Sequence, residues 1–216
     1  MARWEPSKLE KLDPAALRAK PELAGYSVEL QIIERVARQF SAVLQQQTPS
    51  LILKTLFVDD PALMRAWYAQ STTFGFVNAA SKACLRSVLR QLKRSRASPL
   101  RVLELGAGTG GLTEHLLDEF DGAATQYIFS DVSQSFLSQA QKTFSTCSFM
   151  TFAKIDADRP FTEQGIAAGS VDIVIASNML HDTRLPNTLL QTRNVLRPGG
   201  VLLAIELTRP TPWWHM

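Results

Sequence analysis

Val102-Leu103-Glu104-Leu105-Gly106-Ala107-Gly108-Thr109-Gly110-Gly111 is the stretch that decides the fold. A short run with strand character meets a glycine-dense turn, and Leu112, His115, Leu116 and Leu117 then follow at helical spacing. A strand that turns tightly into a helix surrounds whatever sits over the turn with backbone N–H groups and a helix N-terminus. Glycines there remove the side chains that would hold a ligand away. A nucleotide-like ligand is expected over Gly106, Ala107, Gly108 and Gly110, and Glu104, two residues before the first glycine, bears on which one.

Outward from this turn, residues 100 onward alternate between two patterns. Strands are expected over 101–105, 127–130, 149–155, 171–176 and 201–206, and helices over 113–120, 134–144 and 185–195. Several of the strands are nearly continuous apolar runs, as in a parallel sheet covered on both faces. The expected fold class is therefore α/β, a doubly wound Rossmann-like core with its ligand at the carboxyl ends of the strands. The first hundred residues read as helical. Val28, Ile32, Val36, Phe40 and Leu44 recur every four positions, with Thr48-Pro49-Ser50 ending that helix. A second segment spans 51–57, Asp59-Asp60-Pro61 offers an N-cap for a helix through 69, and a third helix spans 77–92. Two domains follow: a helical region over 1–98 and the α/β core over 99–216.

Composition narrows the class. With 45% hydrophobic and 20% charged residues, 216 residues can bury a real core. No apolar run is long enough to cross a membrane, and the N-terminus lacks the apolar core of a signal peptide, so a cytoplasmic protein is expected. Cys84 and Cys147 lack metal-ligand spacing and read as reduced thiols, and no metal site is expected. The net charge is only +3, with its excess in Arg86, Arg90, Lys93, Arg94 and Arg96. That cluster reads as a solvated helix C-terminus or as a docking patch for an acidic partner. No aromatic residues interleave with it, which disfavours nucleic acid.

The glycine turn admits two readings. Gly106, Gly108 and Gly111 satisfy the dinucleotide pattern G-x-G-x-x-G. A carboxylate at the strand end would repel a pyrophosphate unless it faced away, whereas a cofactor carrying an amino group and a sulfonium would welcome it. The next strand ends at Asp131, 25 positions after Gly106. There a carboxylate suits the ribose hydroxyls of an adenosine, or else caps the following helix. Asp156 ends the third strand and suits the adenine amino group, with Asp158 close enough to compete. Asn178 follows the fourth strand beside His181, and Glu206 ends the fifth. Ends of adjacent parallel strands lie about 5 Å apart, so Glu206 could fix the tautomer of His181 and make it a general base. Pro198-Gly199-Gly200 is expected to reverse the chain tightly from helix into the fifth strand.

Glu104-Leu-Gly-Ala-Gly-Thr-Gly110 resembles the first motif of class I S-adenosylmethionine-dependent methyltransferases. Together with Asp131-Val-Ser133, Gln164-Gly165, Ala176-Ser-Asn-Met-Leu-His-Asp182 and Leu196 to Glu206, it resembles the carbon-methyltransferase domains of modular polyketide synthases and hybrid polyketide–peptide synthetases over about residues 65–210. The resemblance implies S-adenosylmethionine as cofactor, held by Glu104, Gly106, Ala107, Gly108, Gly110, Asp131, Val132, Asp156, Ala157 and Asn178. It implies His181 as base, Glu206 as its partner, and methylation of the α-carbon of a β-ketoacyl thioester on an acyl carrier protein, among other synthase domains. It further implies that the N-terminal helices form a lid. Tyr68, Phe74, Phe76 and Asn78 are acyl-chain candidates or packing residues. An oxygen or nitrogen methyltransferase, or a non-catalytic scaffold, remains an alternative. Two further strands are expected after the fifth in this fold, and residues 207–216 are too few to supply them.

Overall fold

The computed structural model describes residues 14–44, 52, 54–92, 99–206 and 208. The chain forms two compact units, Met1–Gly75 and Phe76–Met216. The change of sequence pattern near residue 98 is thus not where the units divide.

The first unit is helical. It contains α1 (Pro14–Arg18), α2 (Ser27–Leu44), a π-helical turn (Thr55–Asp59) and α3 (Pro61–Gln70). Asp60 caps α3 as its sequence predicts, accepting from the Leu63 N–H, and it also pairs with Arg35 of α2 at 2.5 Å. Buried Glu29 of α2 accepts the Thr72 N–H at 2.7 Å, at the start of α4 (Thr72–Leu92). That helix begins five residues earlier than its apolar spacing suggests. The terminator at 48–50 and residues 51 and 53 of the second segment lie outside the described residues, as do Lys93, Arg94 and Arg96 of the basic cluster. Arg86 of that cluster pairs with Glu119.

The second unit carries the sheet. Its elements are β1 (Leu100–Leu105), α5 (Gly111–Leu116), β2 (Thr125–Asp131), α6 (Gln134–Thr143), β3 (Met150–Lys154), β4 (Val171–Ser177), α7 (Leu185–Val195) and β5 (Leu196–Ile205). Strand order is β3-β2-β1-β4-β5, and every pairing is parallel. This is the doubly wound α/β core that the sequence predicts. Side chains alternate along each strand, so each face builds its own core. Val102, Phe129 and Ile175 pack with Leu85 and Leu89 of α4, Leu116 of α5 and Leu137 of α6. Leu103, Ile128 and Val174 pack on the other face with Phe161, Ile166 and Val195.

Two local differences from the sequence reading have simple causes. The helix expected over 113–120 starts at Gly111 and tightens into a 3-10 turn after Leu116. Pro198-Gly199-Gly200 does not reverse the chain between helix and strand. Leu196 already pairs with Val171, and Val201 pairs with Ile173, so residues 197–200 form an irregularity inside β5.

Candidate active site at the carboxyl ends of the strands

Four loops converge where β1, β2, β3 and β4 end. After β1, the Ala107 N–H donates to Ser130 C=O at 2.9 Å, and the Gly108 N–H donates to Asp131 Oδ2 at 2.9 Å. The Ser130 hydroxyl returns a bond of 2.6 Å to Glu104 C=O. The glycine turn is therefore laced to β2 along its length. Gly110, with φ +77°, starts α5 as its N-cap residue.

The glycines serve different needs, which spacing alone did not reveal. Gly106 and Gly108 both have positive φ, +57° and +55°. A Cβ on Gly106 would sit 2.9 Å from Cβ and Cγ of Met179, and one on Gly110 would sit 2.8 Å from the Phe144 ring. Those two glycines make room for protein. Around Gly108 a Cβ would meet only Gly106 C=O, at 3.9 Å, so this is the glycine that leaves space for a ligand.

Glu104 also departs from expectation. Its side chain is 2% exposed, and its Oε2 accepts from both the Thr113 and Tyr127 hydroxyls at 2.7 Å. The carboxyl lies in the core beneath the turn and is not offered to solvent. Burial pushes its pKa up to about 7, against the lowering effect of the Tyr127 and Thr113 hydrogen bonds. The electrostatic argument from a charged strand end thus does not by itself select a cationic cofactor.

Asp131 is buried, and its Oδ1 accepts the Ser133 N–H at 2.7 Å. This is a turn closed within the loop, and the N-cap position of α6 belongs to Ser133, so the helix-capping alternative for Asp131 is not what forms. Each carboxylate oxygen has a second lone pair, so two further donors can be accepted. Val132, beside it, is an exposed apolar side chain. Asp156 forms the same closed turn after β3, its Oδ1 accepting the Asp158 N–H at 2.9 Å. Asp158 Oδ1 accepts the Arg184 N–H at 2.7 Å and its C=O accepts from Asn187, which ties this loop to the start of α7. Ala157 C=O accepts from Thr188 of α7.

After β4, Asn178 adopts φ +51°, the only positive φ of a non-glycine residue among those described, and donates its N–H to Ile205 C=O at 2.7 Å. The chain then curls so that the Met179 and Leu180 N–H groups donate to Glu206 Oε1 at 2.9 and 2.7 Å. Glu206 Oε2 lies 2.8 Å from His181 Nδ1. The strand-end adjacency expected from sequence thus becomes a direct contact. On the other side of the ring, Asp182 Oδ2 lies 3.5 Å from Nε2, from an exposed side chain. Met179, beside Gly106, and Gln164, paired with Asp156, hold the loops in place without having stood out as candidates in the sequence. Met179 carried no polar signal, and Gln164 stood only as part of a motif.

The acyl-chain candidates separate by unit. In the first, Tyr68 and Phe74 meet edge-on, with centroids 4.8 Å apart, and Trp67 flanks Phe74 at 6.1 Å. In the second, Asn78 is buried and Phe76 is 78% exposed. Among the described residues, no helix is long and apolar enough to cross a membrane.

A family model described as a methyltransferase domain matches residues 103–202. The chain is 33% identical over 188 residues to the hybrid PKS-NRPS synthetase iccA of Talaromyces variabilis, covering 85% of this chain and 4% of that protein. It is 32% identical over 185 residues to the highly reducing polyketide synthase ACTTS3 of Alternaria alternata, covering 84% and 7%. Among solved structures, the CurJ carbon methyltransferase superposes with a TM-score of 0.81 at 28% identity, over 94% of this chain and 54% of that one. The CMeT domain of the citrinin polyketide synthase does so with 0.75 at 27% identity, over 93% and 52%. The chain spans a small fraction of these synthases and about half of the solved domains. With its parallel sheet, glycine turn and acidic strand ends, the chain belongs to the class I S-adenosylmethionine-dependent methyltransferases, in the family of polyketide synthase methyltransferase domains.

Proposed function

We propose that this domain methylates the α-carbon of a β-ketoacyl thioester presented by an acyl carrier protein within a larger synthase, with His181 as general base and Glu206 as its partner. The observation that carries the reading is the 2.8 Å contact between His181 Nδ1 and Glu206 Oε2. The same carboxylate is held by two backbone N–H groups on its other oxygen. Such a carboxylate cannot swing away, so it fixes the imidazole with its proton on Nδ1 and leaves the Nε2 lone pair free to take a proton.

The residues present fit the cofactor. Gly108 leaves open space at the turn, and Asp131 keeps lone pairs for the two ribose hydroxyls. Asp156 Oδ2 accepts from no described residue and suits the adenine amino group, with exposed Val132 as the apolar surface beside it. Ala107 and Ala157 contribute backbone at the turn and after β3, and Asn178 lies beside the methionine end. Glu104 acts from below, by shaping the turn through Thr113 and Tyr127. When bound, S-adenosylmethionine supplies a methyl group on a sulfonium. His181 Nε2 removes the proton between ketone and thioester, where the resulting negative charge is spread over two carbonyls. Glu206 stabilises the imidazolium that forms. Amine methylation requires no proton abstraction from carbon, so a built base–carboxylate pair favours the carbon reaction, with a hydroxyl as the competing acceptor.

Mass spectrometry of methyl transfer onto β-keto, β-hydroxy and aminoacyl carrier substrates tests this. A gain of one methyl on the carbon of the β-keto substrate alone is expected. Transfer to the hydroxyl or amine instead, or no transfer at all, would overturn it. His181→Ala is expected to lower transfer at least about a hundredfold, the usual worth of a general base, while calorimetry shows cofactor affinity unchanged.

A further inference from the structure

Beyond Ile155 no strand among the described residues pairs with the chain, and the side chain of Gln164 takes that place. Its Oε1 accepts the Asp156 N–H at 2.8 Å, and its Nε2 donates to Asp156 C=O at 3.0 Å. Nε2 also lies 3.3 Å from the C=O groups of Arg159 and Pro160. The amide thus pairs with both backbone groups of one residue, as an adjacent strand would, and continues the ladder just beyond Ile155, whose N–H reaches Asp131 C=O. Gln164 is itself anchored. It ends the 3-10 turn Phe161–Gln164, between Phe161 and Ile166, which are both buried in one core. Gly165, with φ +89°, closes that turn.

We propose that Gln164 is a positioning residue for cofactor base specificity, holding Asp156 so that its Oδ2 accepts from the exocyclic amino group of adenine. This rests on the adenine role of Asp156 proposed above. Asp156 Oδ1 is occupied by the Asp158 N–H, so the carboxylate has one oxygen committed to the loop and one available to a ligand. The direction of that second oxygen follows from the backbone of Asp156, where Gln164 pairs with both the N–H and the C=O and the Arg159 N–H adds a further bond of 3.2 Å to that C=O. Three carbonyl oxygens around Nε2 and one N–H at Oε1 leave the amide a single satisfied orientation. Loss of the amide leaves the Asp156 N–H without its partner and the C=O held by the Arg159 N–H alone, which blurs the placement of the carboxylate.

The test is calorimetry of the full chain with S-adenosylhomocysteine and with S-inosylhomocysteine, in which a 6-oxo group replaces the amino group. The wild type is expected to prefer the adenosyl ligand, since a carboxylate accepts from an amino group and repels a carbonyl oxygen. Gln164→Leu is expected to lower that preference by about tenfold, the worth of one well-placed charged hydrogen bond. Gln164→Glu, which sets a carboxylate oxygen against three carbonyls, should lower it as well, and serves if the leucine variant fails to fold. A purely structural role would lower melting temperature or weaken both ligands equally, leaving the ratio unchanged, and that result overturns the inference. Asp156→Asn separates the two levels. If it lowers the preference while neither Gln164 variant does, only the Gln164 inference falls. If it leaves the preference unchanged, the adenine role of Asp156 falls and the inference with it. No binding of either ligand by the wild type overturns both.

Discussion

Glu104 shows how far one residue's meaning depends on which way it faces. Read along the chain it is a charge at a strand end, whereas in the structure it shares a face with Val102 and is covered by Thr113 and Tyr127. Burial raises its pKa to about 7 and, together with the neighbouring Glu104 charge, raises the Tyr127 hydroxyl well above its usual value. Against an ordinary carboxyl near 4.5, the folded protein then holds a proton that the unfolded chain releases. Its stabilising effect is full below pH 4.5 and is lost as pH rises to about 7, a change of about 3 kcal/mol for a shift of this size. Glu104→Gln is expected to remove that slope. Thermal melts between pH 4 and 8 should show the variant gaining on the wild type as pH rises, and parallel curves would refute the buried proton.

At the scale of the element, strand–turn–helix and the apolar strand runs were legible because backbone sterics and burial impose short periods on sequence. The division of labour within the glycine turn was not. Gly106 meets Met179, 73 positions away, and Gly108 meets open space, yet both look alike in the motif. Their alanine variants should therefore differ. Each incurs about 1–2 kcal/mol for a left-handed backbone, and Gly106→Ala adds about 1–3 kcal/mol of overpacking against Met179. Denaturant titration should place Gly106→Ala well below Gly108→Ala in stability, while calorimetry shows Gly108→Ala losing cofactor affinity. Equal stabilities would mean that Met179 yields without cost. The start of β5 is hidden from the sequence for a similar reason. Pro-Gly-Gly marks a turn, but whether that turn lies before a strand or inside one depends on the pairing of Leu196 with Val171.

At the scale of the sheet as a whole, the same strand order that gathers the site also gathers a buried charge near the opposite end. Asp172 on β4 is fully buried, accepts the Arg101 N–H of β1 at 2.7 Å, and contacts the guanidinium of Arg197 in β5. One carboxylate thereby ties three strands together. Arg197→Met would strand that charge and is expected to cost about 3–5 kcal/mol, as breaking a buried pair does. Urea denaturation measures this, and a loss below about 1 kcal/mol would class the pair with surface ion pairs. The strand order also decides the site. β4 and β5 are neighbours, so Glu206 arrives beside His181 although 25 positions separate them in the chain.

By itself the sequence determined the alternation of strands and helices, the parallel doubly wound sheet, the glycine turn, and, to within a residue, where each strand ends. Its motifs also sufficed to place the chain among polyketide synthase methyltransferase domains. The elements and the turn are local and follow from side-chain period, turn chemistry and residue order, whereas the family follows from the resemblance of the motifs. Only the tertiary structure decided that Glu104 turns inward, that Gly106 yields to Met179 while Gly108 stays open, that Asp158 ties its loop to α7, and that Gln164 pairs with Asp156. Each of those facts concerns what surrounds a residue in space, from Gln164, eight positions from Asp156, to Met179, 73 positions from Gly106. Such surroundings are set by register and by how the two cores pack, and neither leaves a mark in the spacing of a motif.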